Sequence, residues 1–154
     1  MFFISHRGNV NGKNQEYENN PEYILEAISL GFDVEVDIWL YKTKLYLGHD
    51  EPQFEYKNDL EKYNTKLWHH AKNIDAINIL YKKNFHFFWH EDDDMTITSK
   101  GYWWTYPGKK LSRTSIYVLP ENLKKFDNSL NYKGVCSDYI AKYKKKIMVL
   151  KKNE

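Results

Sequence analysis

Histidines, carboxylates and basic side chains recur in this chain at spacings that suit acid–base and metal-ligand chemistry. His6 and Arg7 follow directly on the apolar stretch FFIS. Glu35 and Asp37 stand two apart inside FDVEVDIWL, residues 32–40, and His49-Asp50 comes soon after. His70 and Lys72 are again two apart, and His90-Glu91 follows the aromatic run FHFFW. Histidines can take and give protons near neutral pH. Two carboxylates two residues apart on a strand share a face and, when buried, oppose each other's ionisation, so a divalent cation explains Glu35 and Asp37 at least cost. Plainer readings exist for each. A lone interior histidine is more often a hydrogen-bonded core residue, and Glu35 with Asp37 could pair with Lys72 and Arg7 in a structural ion network. The constellation points further than any one member.

Elements must hold these groups in place. Residues 2–6 read as a buried strand, and residues 9–19 (NVNGKNQEYEN) as a polar loop. A helix follows, with Asn20 as N-cap, Pro21 in its first turn, Ile24, Leu25 and Ile28 on one face, and Gly31 as its stop. Along residues 32–40, Val34, Val36, Ile38 and Leu40 point one way and Glu35, Asp37 and Trp39 the other. Strand, helix, strand predicts a βαβ unit with parallel strands. A strand at 67–71 (LWHHA), a helix capped by Asn73 and running through Ile77, Leu80 and Tyr81, and a strand at 85–90 continue the pattern. Shorter strands are expected at 103–107, 115–120 and 134–138, then a helix from Asp138 carrying Ile140, Tyr143 and Ile147. Its Lys142, Lys144, Lys145 and Lys146 read as a solvated face.

These seven strands with interleaved helices predict an α/β barrel in a single domain, residues 1–154. A complete (β/α) barrel takes roughly 250 residues, and the stretch from Pro107 to Ser115 is shorter than the dozen or so residues of a helical crossover. The expectation is a reduced TIM-type barrel, mostly parallel, with several outer helices missing. In such barrels the chemistry sits at the C-terminal ends of the strands, where this chain places its polar residues.

Composition excludes several classes. Net charge is +2, from 23 basic and 21 acidic residues, so the overall field is too weak to point to nucleic acid. Cys136 is the only cysteine, which rules out an intrachain disulfide or a cysteine-based metal cluster. No apolar run approaches the roughly 20 residues of a membrane span, and the opening residues turn polar too soon for a signal peptide. The expectation is a soluble cytoplasmic protein without a transmembrane segment.

With H-R-G at residues 6–8, E-N at Glu18-Asn19, then G-F-D-V-E-V-D at 31–37 and H-D at 49–50, the chain resembles the glycerophosphodiester phosphodiesterase family. That family shares its barrel superfamily with phosphatidylinositol-specific phospholipase C and the spider-venom phospholipases D. The match spans roughly residues 1–50, with thinner support from Ala71-Lys72 and from G-V-C-S-D-Y at 134–139. The resemblance implies that His6 and His49 are the acid–base pair, that Glu35 and Asp37 hold one divalent cation, Mg2+ or Ca2+, and that Arg7 and Lys72 contact phosphate. Relatives carry an acid two residues before the lysine, where this chain has His70. An imidazole ligand moves the preference towards Mn2+ or Zn2+. Alternatively the two carboxylates and water hold the ion, with Glu91 or Asp92 assisting. Asn20 also stands where the family has threonine.

The implied chemistry is hydrolysis of a phosphodiester, with one histidine on each side of phosphorus and the cations stabilising charge on its oxygens. Relatives commonly use a substrate hydroxyl as nucleophile, which forms a cyclic phosphate. Tyr102, Trp104 and Tyr106 alternate on one face, and Trp104 is a candidate contact for a sugar or alkyl chain. The substrate expected is a small glycerol-, sugar- or lipid-headgroup phosphodiester. A different reading is a catalytically silent barrel that binds a phosphorylated metabolite, favoured by the short chain and His70 and opposed by the two histidines. A nuclease would need a basic groove, for which the lysine-rich last helix is poor evidence. Strand faces stripped of helices would be apolar and exposed, so a homodimer is a further expectation.

Overall fold

The computed structural model describes residues 1–152. The strands are β1 (Phe2–His6), β2 (Asp33–Tyr41), β3 (Lys44–Leu47), β4 (Phe54–Glu55), β5 (Leu67–Ala71), β6 (Phe87–Phe88), β7 (Met95–Ile97), β8 (Trp103–Thr105), β9 (Ser115–Val118) and β10 (Gly134–Ser137). The helices are α1 (Pro21–Ser29), α2 (Asn58–Glu61), α3 (Ile74–Lys82) and α4 (Ile140–Lys152). All strands join one sheet in the order β4-β3-β2-β1-β10-β9-β8-β7, with β5 beside β2 and β6 beside β5.

The elements with the clearest sequence punctuation form as expected. Asn20 accepts a hydrogen bond from the Glu22 amide at 2.9 Å, and Gly31 ends the helix region with φ 82°. Asn73 accepts from the Ala76 amide at 3.0 Å and also exchanges two hydrogen bonds with Leu40, tying α3 to β2. The seven strands anticipated from the sequence run parallel to their neighbours, from β8 through β9, β10, β1, β2 and β5 to β6.

Three strands were not anticipated, and all three are antiparallel: β3, β4 and β7. The fold is therefore a mixed α/β sheet with few helices, in which six strand pairings are parallel and three antiparallel. The β2–β3 reversal at Lys42-Thr43 has no glycine and uses Lys42 at φ 56°, so the usual Asn-Gly or Gly signal is missing. The strand expected at 85–90 shortens to Phe87–Phe88, because beyond it the chain turns into the exposed acidic stretch from Glu91 to Asp94.

The sheet curls and has an apolar layer on each face. Outside, Val34, Val36 and Ile38 join Ile24 and Ala27 of α1, Ala76 and Leu80 of α3, and Ile140 and Ile147 of α4. Inside, Ile4, Trp68, Phe88, Trp104, Ile116, Val118 and Cys136 meet from six strands. The Phe88 and Trp104 rings stack at 4.5 Å although β6 and β8 lie far apart along the sheet. The Ser99 amide, just past β7, donates to the Phe87 carbonyl at 2.7 Å and brings the two ends within reach.

No α-helix forms between β8 and β9 or between β9 and β10, although only the first of these links is too short for one. Residues 106–114 link β8 to β9 as turns, and between β9 and β10 there is only a 3-10 turn at Pro120–Asn122. The ring of Tyr117 on β9 is covered instead by Phe126 and Tyr132. Trp89, Ile97 and Trp103 stay exposed along the uncovered stretch. Lys144 lies over the Phe3 and Phe32 rings and Lys146 over Phe126, so part of the lysine-rich face of α4 serves packing. Among the described residues no helix is long and apolar enough to cross a membrane.

Candidate active site

The site is built around the end of β1 and the middle of β2. His6 is the last residue of β1 and pairs with Glu35. Arg7 then takes φ 54° while its amide donates to the Glu35 carbonyl at 3.0 Å. Gly8 follows at φ 93°, against Tyr23, where a Cβ would come within 2.6 Å of the ring. A side chain there would displace the Arg7 turn. Where β1 stops, the Asn19 side chain takes over pairing to β2: its oxygen accepts from the Asp37 amide at 2.9 Å and its amide donates to Asp37 Oδ2 at 2.9 Å. The Gly48 amide donates to the Asp37 carbonyl at 3.2 Å, and its φ of 148° lets the chain turn where a Cβ would strike the Glu51 carbonyl. His49 is thereby placed beside β2.

Strand alternation turns Glu35 and Asp37 away from the helices, into the curl, and both are buried. His6 Nδ1 lies 2.7 Å from Asp138 Oδ1 and its Nε2 3.9 Å from Glu35 Oε2. Asn9 donates at 2.9 Å to both Glu18 and Asp138. Arg7 Nη1 donates to Glu18 at 3.1 Å, and its Nε is 2.8 Å from Asp37 Oδ2 but off the N–H direction. His70 Nδ1 is 3.0 Å from Asp37 Oδ1 and 3.8 Å from Glu35 Oε1, and Lys72 Nζ is 3.7 Å from Asp37 Oδ1. His49 is half exposed, with Nδ1 2.6 Å from Asp50. The expected alternative of an ion network joining Asp37 to Arg7 and Lys72 is thus present.

Electrostatics separates the two β2 carboxyls. Burial and the neighbouring Asp37 charge push the Glu35 carboxyl above its usual range, against the pull of His6, Arg7 and His70. Burial acts the same way on Asp37, but hydrogen bonding to His70 and the Arg7 charge outweigh it and hold Asp37 below its usual range. Burial alone would lower the His6 imidazole. The Asp138 hydrogen bond and the Glu35 charge overcome it, so His6 is raised. Asp138 is lowered, because its bond to His6 outweighs its own desolvation.

Glu35, Asp37 and His70 could hold a divalent cation. One donor atom from each lies within 4.8 Å of the others. Glu35 Oε2 and Asp37 Oδ1 are buried and accept no aligned hydrogen bond. His70 Nε2 faces the His90 carbonyl at 3.4 Å, and its ring stacks on Phe88 at 4.9 Å. With an ion bound, the His90 carbonyl would accept from Nε2 and leave the Nδ1 lone pair to the metal; without one, the Nδ1 proton faces Asp37 Oδ1 at 3.0 Å.

A cavity of about 340 Å³ opens here, lined by His6, Arg7, Glu35, His49, His70 and Asp138, and beyond them by His90 and an apolar wall. The structure therefore gathers six of the eight residues given site roles above around one cavity: His6, Arg7, Glu35, His49, His70 and Trp104. Asp37 and Lys72 stand behind it, at the Arg7 ion pair. Trp104 is only 2% exposed and packs on Phe88, so it forms cavity floor and core together rather than an exposed ring at the mouth. Glu91 and Asp92 are exposed and outside the cluster. Asn9 and Asp138 were not among the expected site residues, and His90 was noted at a strand end without a role. Asp138 lies 132 residues from its partner His6, and no local pattern reports such a contact. Glu18 and Asn19 were noted only as a motif, and in the structure they grip Arg7 and Asp37. Comparison of the chain with protein-family models, with curated proteins and with solved structures finds no match in any of the three.

Proposed function

We propose that the chain is a metal-assisted phosphoric diester hydrolase, similar to glycerophosphodiester phosphodiesterases, on a reduced (β/α) barrel. One observation carries this reading. Two histidines line one cavity, and each has its Nδ1 held by a carboxylate, Asp138 at 2.7 Å for His6 and Asp50 at 2.6 Å for His49. Nε2 is then the free nitrogen on both rings. Anion binding alone needs cations and amides, not two oriented imidazoles.

In this reading the raised pKa of His6 suits it to give a proton to the departing oxygen, and His49 takes one from the attacking hydroxyl. That hydroxyl belongs to substrate or water. The nearby thiol, Cys136, is fully buried, and burial pushes it well above its usual pKa. Arg7 presents its charge at the wall while Glu18 and Asp37 hold the guanidinium in place. Lys72 acts on Asp37 from behind. Glu35, Asp37 and His70 would hold the cation, which supplies charge stabilisation at the phosphate oxygens.

The test is hydrolysis of a glycerophosphodiester with added Mn2+ or Mg2+. His6→Ala and His49→Ala should each lower turnover by about 10²–10⁴-fold with an unchanged circular dichroism spectrum. Retention of most activity by either variant would remove the pair from the mechanism. The silent-barrel reading is favoured by the partners Asp37 already has in Arg7 and Lys72. Phosphate binding without turnover, and no heat from divalent ions in calorimetry, would select it.

A further inference from the structure

Asp138, which holds His6, is itself held from the link between β9 and β10. Glu121 lies in the 3-10 turn of that link. Its Oε1 accepts hydrogen bonds from the Asp138 amide at 2.8 Å and from the Ser137 hydroxyl at 3.0 Å, and its Oε2 accepts from the same hydroxyl at 2.9 Å. The Ser137 oxygen in turn accepts from the Tyr139 amide at 2.8 Å. One carboxylate thus clips the link onto the end of β10, and Ser137 at that point is fully buried.

The contacts on either side show how firmly this corner is fixed. Leu119, just before the turn, lines the cavity and takes φ 43° and ψ 53°, a left-handed conformation that a residue with a Cβ keeps only where its surroundings enforce it. Its amide donates to the Cys136 carbonyl at 2.8 Å, and Glu121 is bonded two residues further on. Around Asp138 three segments of the chain meet. The Gly12 amide donates to its carbonyl at 2.8 Å, Asn9 donates to its Oδ1 at 2.9 Å, and His6 Nδ1 meets the same Oδ1 at 2.7 Å. Glu121 supplies the one partner of the Asp138 amide. A carboxylate that orients an imidazole can do so only while its own backbone keeps still. Glu121 does not line the cavity, so it reaches the chemistry through Asp138 alone.

We infer that Glu121 is a positioning residue for proton transfer at His6: it fixes the backbone of Asp138 and, through Asp138, the imidazole. The inference rests on the phosphodiesterase reading for the step that His6 performs, and it adds a residue that touches neither histidine nor substrate. Both donors to Glu121 are neutral, so its part is to accept hydrogen bonds and not to supply charge.

Steady-state hydrolysis of glycerophosphocholine by the intact chain, with Mn2+ or Mg2+, tests it. Glu121→Ala should lower kcat about tenfold and leave KM within about twofold, because a loosened Asp138 misdirects His6 without touching substrate. Glu121→Gln keeps an oxygen for the Asp138 amide and should restore kcat to within about twofold of the unsubstituted chain. In an Asp138→Ala background, Glu121→Ala should bring no further loss, since nothing is left for it to position. Glu121 is half-buried, so water reaches the freed amide and circular dichroism should show the alanine variant folded. If it is not, Glu121→Met, which fills similar space without a carboxylate, replaces it in each comparison. An alanine variant with unchanged kcat, a glutamine variant as slow as the alanine one, or losses that multiply in the double variant each overturn the positioning role and leave the phosphodiesterase reading standing. If the unsubstituted chain does not turn the diester over, that reading falls and the role falls with it.

Discussion

β1, β2, β5, β6 and β10 lie under α1, α3 and α4, whereas β7, β8 and β9 have only loops and solvent outside. The first group carries, or has just past its strand ends, His6, Arg7, Glu35, Asp37, His70, Lys72 and Asp138. The second supplies Trp104, Val118 and, just past β8, Tyr106. The difference teaches which half needs its helices. Buried charges must meet partners at hydrogen-bonding distance, and a strand packed on both faces holds that geometry. An apolar wall needs only to be filled, and large rings do that from inside.

Substitutions on the two halves should therefore fail in different ways. Trp104→Ala, on the side without helices, should cost about 3–5 kcal/mol in urea unfolding, because it empties a buried site in the inner cluster. A variant that unfolds normally yet loses substrate affinity would make Trp104 a ligand contact instead of filling. A smaller effect is expected from acid on the covered half. Burial holds His69 and His86 down at about 4 against 6.5 in the unfolded chain. Both are neutral when folded, so their contribution is complete above pH 6.5 and disappears as pH falls through 4, on the order of 3 kcal/mol for His69. Unfolding free energies that stay flat between pH 7 and 4.5 would contradict this. His6, with its raised pKa, works in the opposite direction: its contribution is complete below 6.5 and is lost as pH rises through the folded value.

Asp138→Asn should lower turnover by roughly 10–100-fold and shift the His6 limb of the pH–rate profile down, since the Asp138 charge is one of the forces that raise it. A uniform loss of activity with an unmoved profile would leave Asp138 a merely structural role. The smallest effect belongs to the exposed outer face. Ile97→Lys on β7 should change stability by no more than about 0.5 kcal/mol in a thermal melt. A large loss there would mean that this face is covered in solution.

Much of the covered half was legible in the sequence. LWHHA is β5 residue for residue, and the alternation of Val34, Val36 and Ile38 with Glu35 and Asp37 puts the acids inside and the aliphatics under the helices. Asn20, Pro21 and Gly31 mark α1 because caps and stops act within a few residues. The antiparallel strands were not legible, since β3 and β7 are short and the β2–β3 turn has no glycine; Gly101 at φ 82° does mark the β7–β8 turn, but three residues of strand are too few to show alternation. Nor was the burial of Trp104, because its alternation with Tyr102 and Tyr106 says which residues share a face but not what faces them.

By itself, then, the sequence determined the seven strands that run parallel, the helices with caps, and the face of β2 that bears its acids. These depend on neighbours along the chain. Only the tertiary structure decided that Asp138 orients His6, that Asn19 completes the edge of β2 at Asp37, and that the cavity has one polar and one aromatic side. Those contacts join residues far apart in the chain, and they exist only once the sheet has curled and brought its strand ends together.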